Sequence, residues 1–322
     1  MIHTKVLITG GGGFIGAAVA RALLDRGTPV AIFDRVRPAP MWKGDPIGAA
    51  EFIAGDVLEP LSIVRAMQAA KPARMVHSAA IVGAGLSIDS PGPTVATNVM
   101  GLSNVLEAAR MSDIGRTVFI SSQSVYGQGR YQPVDEGHPT EPESPYGATK
   151  LASEKLGAVY QRCFGIDFVS LRMSHIYGPG RPGGARGNVI QEMLEAAQAG
   201  TRFSMASGGD QTKEPSHIDD ISAAVCAALD APPETLSARV FNVGSGEVLT
   251  WRQIAGVVQQ LYPEAKMDLG DGNTLIRPGL YEQMLGPLDV SLAETVLGIK
   301  PRYRIREGLE QFAQWLARER SH

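Results

Sequence analysis

The sequence predicts a doubly wound α/β fold, a parallel sheet with helices on both faces, joined to a smaller C-terminal α/β substrate lobe. Three observations carry the prediction. Short β-branched apolar runs alternate with stretches of helical periodicity through the first half of the chain. Each run ends in small or polar residues. Glycine, 37 of 322 residues, is dense directly after the first run.

The elements follow in order. Val6, Leu7, Ile8 and Thr9 read as a buried parallel strand. Gly10 to Gly13 interrupt it, and beyond Gly16 the apolar residues Ala17, Val19, Ala20, Leu23 and Leu24 recur at helical spacing. A second strand over 30–33 ends at Asp34. Further strands are expected over 52–54, 75–77, 117–121 and 168–172, separated by helices over 61–70, 93–109 and 145–163. Ligands of such sheets lie beyond the carboxyl ends of the strands. That points to Asp56, His77 with Ser78, Ser121 with Ser122, and Arg172 onward.

Composition narrows the function classes. The length suits two domains at ~150 residues each, enough to bury a core without disulfide or metal staples. A formal charge of −3 leaves no global basic field, so no nucleic-acid partner is expected. Cys163 and Cys226 are too few for a disulfide scaffold or structural zinc, which fits a reducing, cytoplasmic compartment. The first apolar run is too short for a signal peptide and breaks into glycine. No stretch of about 18 apolar residues lacks charge, so no membrane span is expected.

Strand, glycine turn, helix, strand and acid form a Rossmann-type dinucleotide pattern. Asp34 lies 18 residues beyond Gly16. Gly10 and Gly13 permit a tight turn and close approach of a pyrophosphate. Gly16 permits close packing of helix on strand, and the helix N-terminus offers N–H groups to phosphate. Asp34 suits a ribose diol and repels a 2′-phosphate, which selects NAD over NADP; Arg35 beside it acts in the opposite sense.

Tyr146 and Lys150 stand four apart on a predicted helix and so share a face. An ammonium beside a phenol favours the phenolate, so the tyrosine pKa is expected below its usual value of about 10, toward that of a general base. Ser122, at a strand end, reaches the same substrate oxygen.

With these motifs the chain resembles the extended short-chain dehydrogenase/reductases, the NAD-dependent epimerase/dehydratase group, and within it sugar epimerases of the UDP-glucose 4-epimerase type. The resemblance spans nearly the whole chain. It implies a cofactor loop with Gly10, Gly13, Phe14, Ile15 and Gly16, a ribose acid at Asp34, an adenine-contacting pair at Asp56 and Val57, and a helix asparagine at Asn98. Arg35, Ala79, Tyr146 and Lys150 complete the implied NAD site. FISSQSVYG, residues 119–127, matches the segment of the catalytic serine, Ser122. The implied reaction removes a proton to Tyr146 and a hydride to NAD, with Ser122 holding the oxygen. An epimerase returns the hydride to the other face of the carbon; the alternative is a dehydrogenase of a free sugar, sugar acid or other secondary alcohol. A non-catalytic NAD-binding protein is disfavoured by the intact Ser122, Tyr146 and Lys150. Dehydratases of the group carry an Asp-Glu pair after the catalytic hydroxyl; Gln123 and Ser124 stand there instead.

The substrate half departs from the group's pattern. Ser124, His175, Lys213 and Arg277 are the candidate substrate contacts. His175 replaces a common asparagine, and either binds an anionic group or packs. Lys213 replaces an arginine and loses the bidentate fork that fits a diphosphate; its alternative role is a solvated surface charge. Arg277 matches a phosphate-contacting arginine. The stretch 178–188, with Gly178, Gly180, Gly183, Gly184 and Gly187, reads as a mobile loop near the substrate mouth. Its Arg181 and Arg186 either meet an anionic substrate or solubilise the loop. No metal site is expected: His77 lacks a second ligand at useful spacing, and His217 before Asp219 and Asp220 reads as a helix start with an aspartate N-cap. The cofactor domain is assigned to 1–176, with a strand returning near 238–242, and the substrate lobe to 177–322, closed by a helix over 305–318. The group implies a homodimer through helices 93–110 and 145–163.

Overall fold

The computed structural model describes residues 4–180 and 189–319. Seven parallel strands form the central sheet: β1 Val6–Thr9, β2 Val30–Asp34, β3 Glu51–Ala54, β4 Arg74–His77, β5 Arg116–Ser122, β6 Phe168–Met173 and the returning strand Val240–Val243. Across the sheet the order is the returning strand, β6, β5, β4, β1, β2, β3. The chain runs outward from β1 in one direction to β3, then crosses back to β4 and continues the other way. The reversal lies between β1 and β4, whose carboxyl ends pair as Thr9 with His77. A crevice opens at such a switch point.

Both faces of the sheet are covered, which explains the uninterrupted apolar runs. Val6 and Ile8 pack on one side with Val19, Leu23 and helix Ile218–Asp230. Leu7 points to the other side, against Ile63, Ala66, Val105 and Ala108. Successive strand residues face opposite ways, so both parities are apolar here. The returning strand begins at Val240 rather than 238, paired with Ser170 of β6.

A separate core lies in the C-terminal half, where Tyr177, Ile190, Met193, Phe203, Trp251, Ile254, Leu309 and Phe312 pack together. Among the described residues this half also holds four two-stranded ribbons. Three bear on the site: His175–Tyr177 with Pro215–His217, Thr212–Lys213 with Leu249–Thr250, and Leu275–Arg277 with Leu280–Tyr281. The closing helix is Ile305–Glu319.

Two local expectations are corrected. The helix over 93–109 is interrupted: Pro91–Val95 leads into a π turn, Ala96–Met100, before Gly101–Met111. The N-cap of helix Ile218–Asp230 is His217, whose Nδ1 accepts from the Asp219 N–H at 3.3 Å. The helix starts at Ile218, at least two residues earlier than an aspartate cap requires. Asp219 and Asp220 therefore occupy its first turn, where carboxylates suit the helix dipole, and Asp220 accepts the Arg302 and Tyr303 N–H groups. Arg181, Arg186, Gly183, Gly184 and Gly187 lie outside the described residues.

Candidate active site

The glycine turn closes on itself before helix α1, Phe14–Asp25. Gly13 N–H donates to the Gly10 carbonyl at 3.0 Å. Gly10 has φ +71°, and a Cβ there would sit 2.4 Å from the Ala79 nitrogen, so the turn and the end of β4 touch backbone to backbone. A Cβ on Gly16 would stand 2.3 Å from the Gly10 carbonyl oxygen. The Gly13 N-cap makes no side-chain cap hydrogen bond to α1, and the start of a helix suits a phosphate. Asp34 holds the turn from the next strand: its carboxylate accepts from Gly12 N–H at 2.9 Å and Val36 N–H at 3.2 Å.

A cavity of about 450 Å³ runs from this turn to the C-terminal half. Gly10, Gly13, Phe14, Ile15, Gly16, Ser78 and Ala80 wall one end. Ser122, Ser124, Tyr146 and Lys150 wall the middle, and His175, Lys213 and Glu282 the other end. The structure thus brings together residues that are far apart in the chain.

Helix Pro145–Phe164 positions the tyrosine and lysine. Ser144 caps it by accepting from Gly147 N–H at 3.1 Å, Pro145 opens the first turn, and Gly165 ends it in a left-handed conformation. Ser87 accepts the Tyr146 N–H at 3.1 Å. Ser122, the last residue of β5, donates to Ser124 Oγ at 3.1 Å and lies near enough to the Tyr146 phenol to act on its pKa. Lys150 Nζ donates to the Ile120 carbonyl at 2.7 Å and lies 5.8 Å from the centre of the Tyr146 ring.

The electrostatics correct the expected tyrosine pKa. Burial pushes the Tyr146 phenol up to about 12, only partly opposed by the Ser122 hydroxyl. Burial also pulls the Lys150 ammonium down to about 7, against the attraction of Glu154. The lysine does not create a standing phenolate in this state, because both groups have lost water and disfavour charge. Beneath them, Glu154 accepts from Ser121 at 2.5 Å and grips Arg172 through both carboxylate oxygens. Arg172, at the end of β6, is therefore a buried structural cation rather than a cavity residue.

Other candidate positions have different surroundings. Asn98 does not line the cavity. Its oxygen accepts from Ile81 N–H at 2.8 Å, and its two amide protons go to the Ile81 carbonyl and Thr149 Oγ1, both at 3.0 Å. It fixes the segment after β4 to the helix of Tyr146, with no side-chain donor left over. Ala79 meets Gly10 through its backbone. The Val57 side chain is buried against Gly101, while Asp56 accepts from Leu58 N–H at 2.9 Å and stands 3.9 Å from Arg35. His77 is buried and neutral, with burial pulling it to about 3; its Nδ1 meets Thr9 Oγ1 at 2.7 Å.

On the substrate side, His175 packs edge-on against Trp251, ring centres 5.4 Å apart. Lys213 is buried rather than solvated and pairs with Glu282. Arg277 is half-exposed, paired with Asp89 at 2.8 Å, and does not line the cavity. Two carboxyls had escaped notice. Glu214 lines the cavity and takes the N–H groups of Gly246 and Leu288, both at 2.9 Å; burial pushes it up to about 7. Glu282 lies just past the hairpin Leu275–Tyr281. The adjacency of Glu214 to Lys213 was the one available signal; nothing local in the sequence marks Glu282.

Known proteins are similar to this chain over nearly its whole length. The chain is 27% identical over 315 residues to the UDP-glucose 4-epimerase of Mycolicibacterium smegmatis, covering 97% of this chain and 98% of that one. It is 29% identical over 323 residues to a dTDP-glucose 4,6-dehydratase of Streptomyces antibioticus, covering 97% and 92%. The crystal structure of the Thermus thermophilus UDP-glucose 4-epimerase in complex with NAD superposes with a TM-score of 0.83 at 27% identity, over 97% of this chain and 99% of that one. The model of the NAD dependent epimerase/dehydratase family matches residues 6–244, from β1 through the end of the returning strand. With its glycine turn at the switch point and Ser122, Tyr146 and Lys150 in one cavity, the chain belongs to that family.

Proposed function

We propose that the protein is an NAD-dependent epimerase of a nucleotide sugar. The observation that carries this reading is the single cavity that joins the glycine turn, the Ser122–Tyr146–Lys150 cluster and a polar substrate wall. NAD, the cofactor of the family, fits the residues present. The turn has no side chain at Gly13, where a Cβ would meet nothing nearer than the Gly10 carbonyl at 3.3 Å. Gly10, Gly13, Phe14, Ile15 and Gly16 would hold its pyrophosphate, Asp34 and Arg35 its ribose, and Asp56, Val57 and Ala79 its adenine side. When bound, NAD supplies a reversible hydride acceptor beside the substrate carbon.

The chain's own groups do the proton work. Tyr146 takes the hydroxyl proton and gives it back, Ser122 donates a hydrogen bond to the same oxygen, and Lys150 supports charge on the phenol. Gln123 and Ser124 follow Ser122, so no carboxylic acid stands where water elimination needs one; this favours epimerisation over the dehydratase activity of the Streptomyces relative. Incubation of the protein with UDP-glucose, UDP-glucuronate and dTDP-sugars, read by proton NMR, should give the 4-epimer with no net NADH absorbance. Stoichiometric NADH would instead identify the dehydrogenase, and a 6-deoxy-4-keto product a dehydratase.

The protein is proposed to act as a cytoplasmic homodimer. No helix among the described residues is long and apolar enough to cross a membrane. Val95 and Met100, which end two consecutive helical segments, and Val159 and Phe164 on helix Pro145–Phe164, are exposed apolar side chains of the kind that pack between subunits. Sedimentation equilibrium should give twice the 34.2 kDa chain mass; a monomer at micromolar concentration would refute the pairing.

A further inference from the structure

Among the described residues of the cavity wall the carboxyl and amine side chains are Lys150, Lys213, Glu143, Glu214 and Glu282, and the imidazole of His175, packed against Trp251, is the other basic group. Three have fixed partners. Lys150 is held by the Ile120 carbonyl, Glu143 accepts from Gln128 at 2.8 Å, and Glu214 is held by the Gly246 and Leu288 N–H groups. Lys213 and Glu282 have each other.

That pair is asymmetric. The Lys213 side chain is 9% exposed, on a strand beside the buried Trp251 ring, whose centre lies 5.8 Å from Nζ. The Glu282 side chain is 33% exposed. Its backbone N–H donates to the Thr274 carbonyl at 2.8 Å, so it stands at the base of a hairpin whose Ile276, Leu280 and Tyr281 line the cavity. A buried ammonium without an anion is costly, whereas a part-exposed carboxylate can return to water at little expense. An incoming polyanion can therefore replace Glu282 at Lys213, but a neutral ligand cannot.

We propose that Glu282 is a displaceable counter-ion: it neutralises Lys213 before substrate binds, yields it to a strongly anionic substrate group, a diphosphate, and so sets how tightly that group is held. This rests on the nucleotide-sugar reading above. The exchange swaps one anion for another and transfers no proton or electron. Lys213 itself discriminates, because a ligand without the anionic group gains nothing from it, and Glu282 lowers the affinity of the ligands that do.

Calorimetric titration of the NAD-loaded full chain with UDP, and with uridine as the neutral control, tests the exchange. Glu282→Gln removes the competing charge and should tighten UDP about tenfold, the scale of one charge-assisted hydrogen bond, without moving uridine. Lys213→Met should weaken UDP, and adding Glu282→Gln to Lys213→Met should then give no gain. An unchanged or weaker UDP affinity in Glu282→Gln overturns the proposal, as does an equal gain with Lys213 absent. If Glu282→Gln behaves as wild type while nucleotide sugars are still epimerised, the counter-ion role falls alone. Failure of UDP to bind any of the four proteins, with no turnover of nucleotide sugars, removes the underlying reading too.

Discussion

Tyr146→Phe should lower kcat by about 10²–10⁴-fold, the contribution of one positioned acid–base group, with the melting temperature near that of wild type. The ring keeps its packing and only the phenol oxygen is lost. The pH dependence identifies the group further. Lys150 is pulled down to about 7 and Tyr146 pushed up to about 12, both by burial. Groups this close titrate as a pair. Below about pH 7 both carry protons, and as pH rises through that value the pair loses one. In the singly protonated pair the proton rests mainly on the phenol, and the working form, charged lysine with phenolate, is a small share of it. That share stays constant until the second proton leaves. The kcat/KM of the free enzyme should therefore rise with pH to a plateau above about 7. Lys150→Met should lose that limb, since the phenol alone then titrates far higher. A Tyr146→Phe enzyme within tenfold of wild type, or a Lys150→Met profile that still bends near 7, would contradict the assignment.

The sheet was legible because its determinants are local. Val6 to Asp34 states strand, turn, helix, strand and acid within one continuous stretch, and both-face burial explains why the strands are apolar throughout. Tyr146 and Lys150 were legible for the same reason, one helical turn apart. What the sequence could not show depends on residues distant in the chain. The phenol's upward shift comes from burial by segments such as the one that brings Ser87 to the Tyr146 N–H from 59 positions away. Asn98 looked like a ligand residue, yet its hydrogen-bonding groups meet Ile81 and Thr149. Arg277 fits a motif by sequence but finds Asp89 at a separation of 188 residues. Glu282 could not be read at all, because its meaning lies in Lys213. Local pattern reported where backbone meets ligand; charge partners had to come from the fold.

The glycines of the turn separate ligand requirements from folding requirements, and their variants should diverge accordingly. Gly13→Ala should fold with near-wild-type stability and bind NAD about ten- to a hundredfold more weakly, which corresponds to the 1–3 kcal/mol typical of an extra methyl in a filled site. Its φ of −81° is open to any residue, and its Cβ would have only the Gly10 carbonyl at 3.3 Å for a neighbour. Because Gly13 lines the cavity, the room for that methyl is room the pyrophosphate would use. Gly10→Ala should fail earlier, at folding. Its φ of +71° costs an L-residue about 1–2 kcal/mol, and the methyl would also overlap the Ala79 backbone at 2.4 Å. That contact joins β1 to β4 at the switch point, so it can relax only by parting the strands that form the crevice. Thermal melts with and without NADH fluorescence titration distinguish the two. Equal melting temperatures for both variants would mean that the strand contact is not what requires Gly10. Full NAD affinity in Gly13→Ala would mean that the pyrophosphate does not cross this turn, and the cofactor's path through the cavity would have to be redrawn from Ser78 and Ala80 instead.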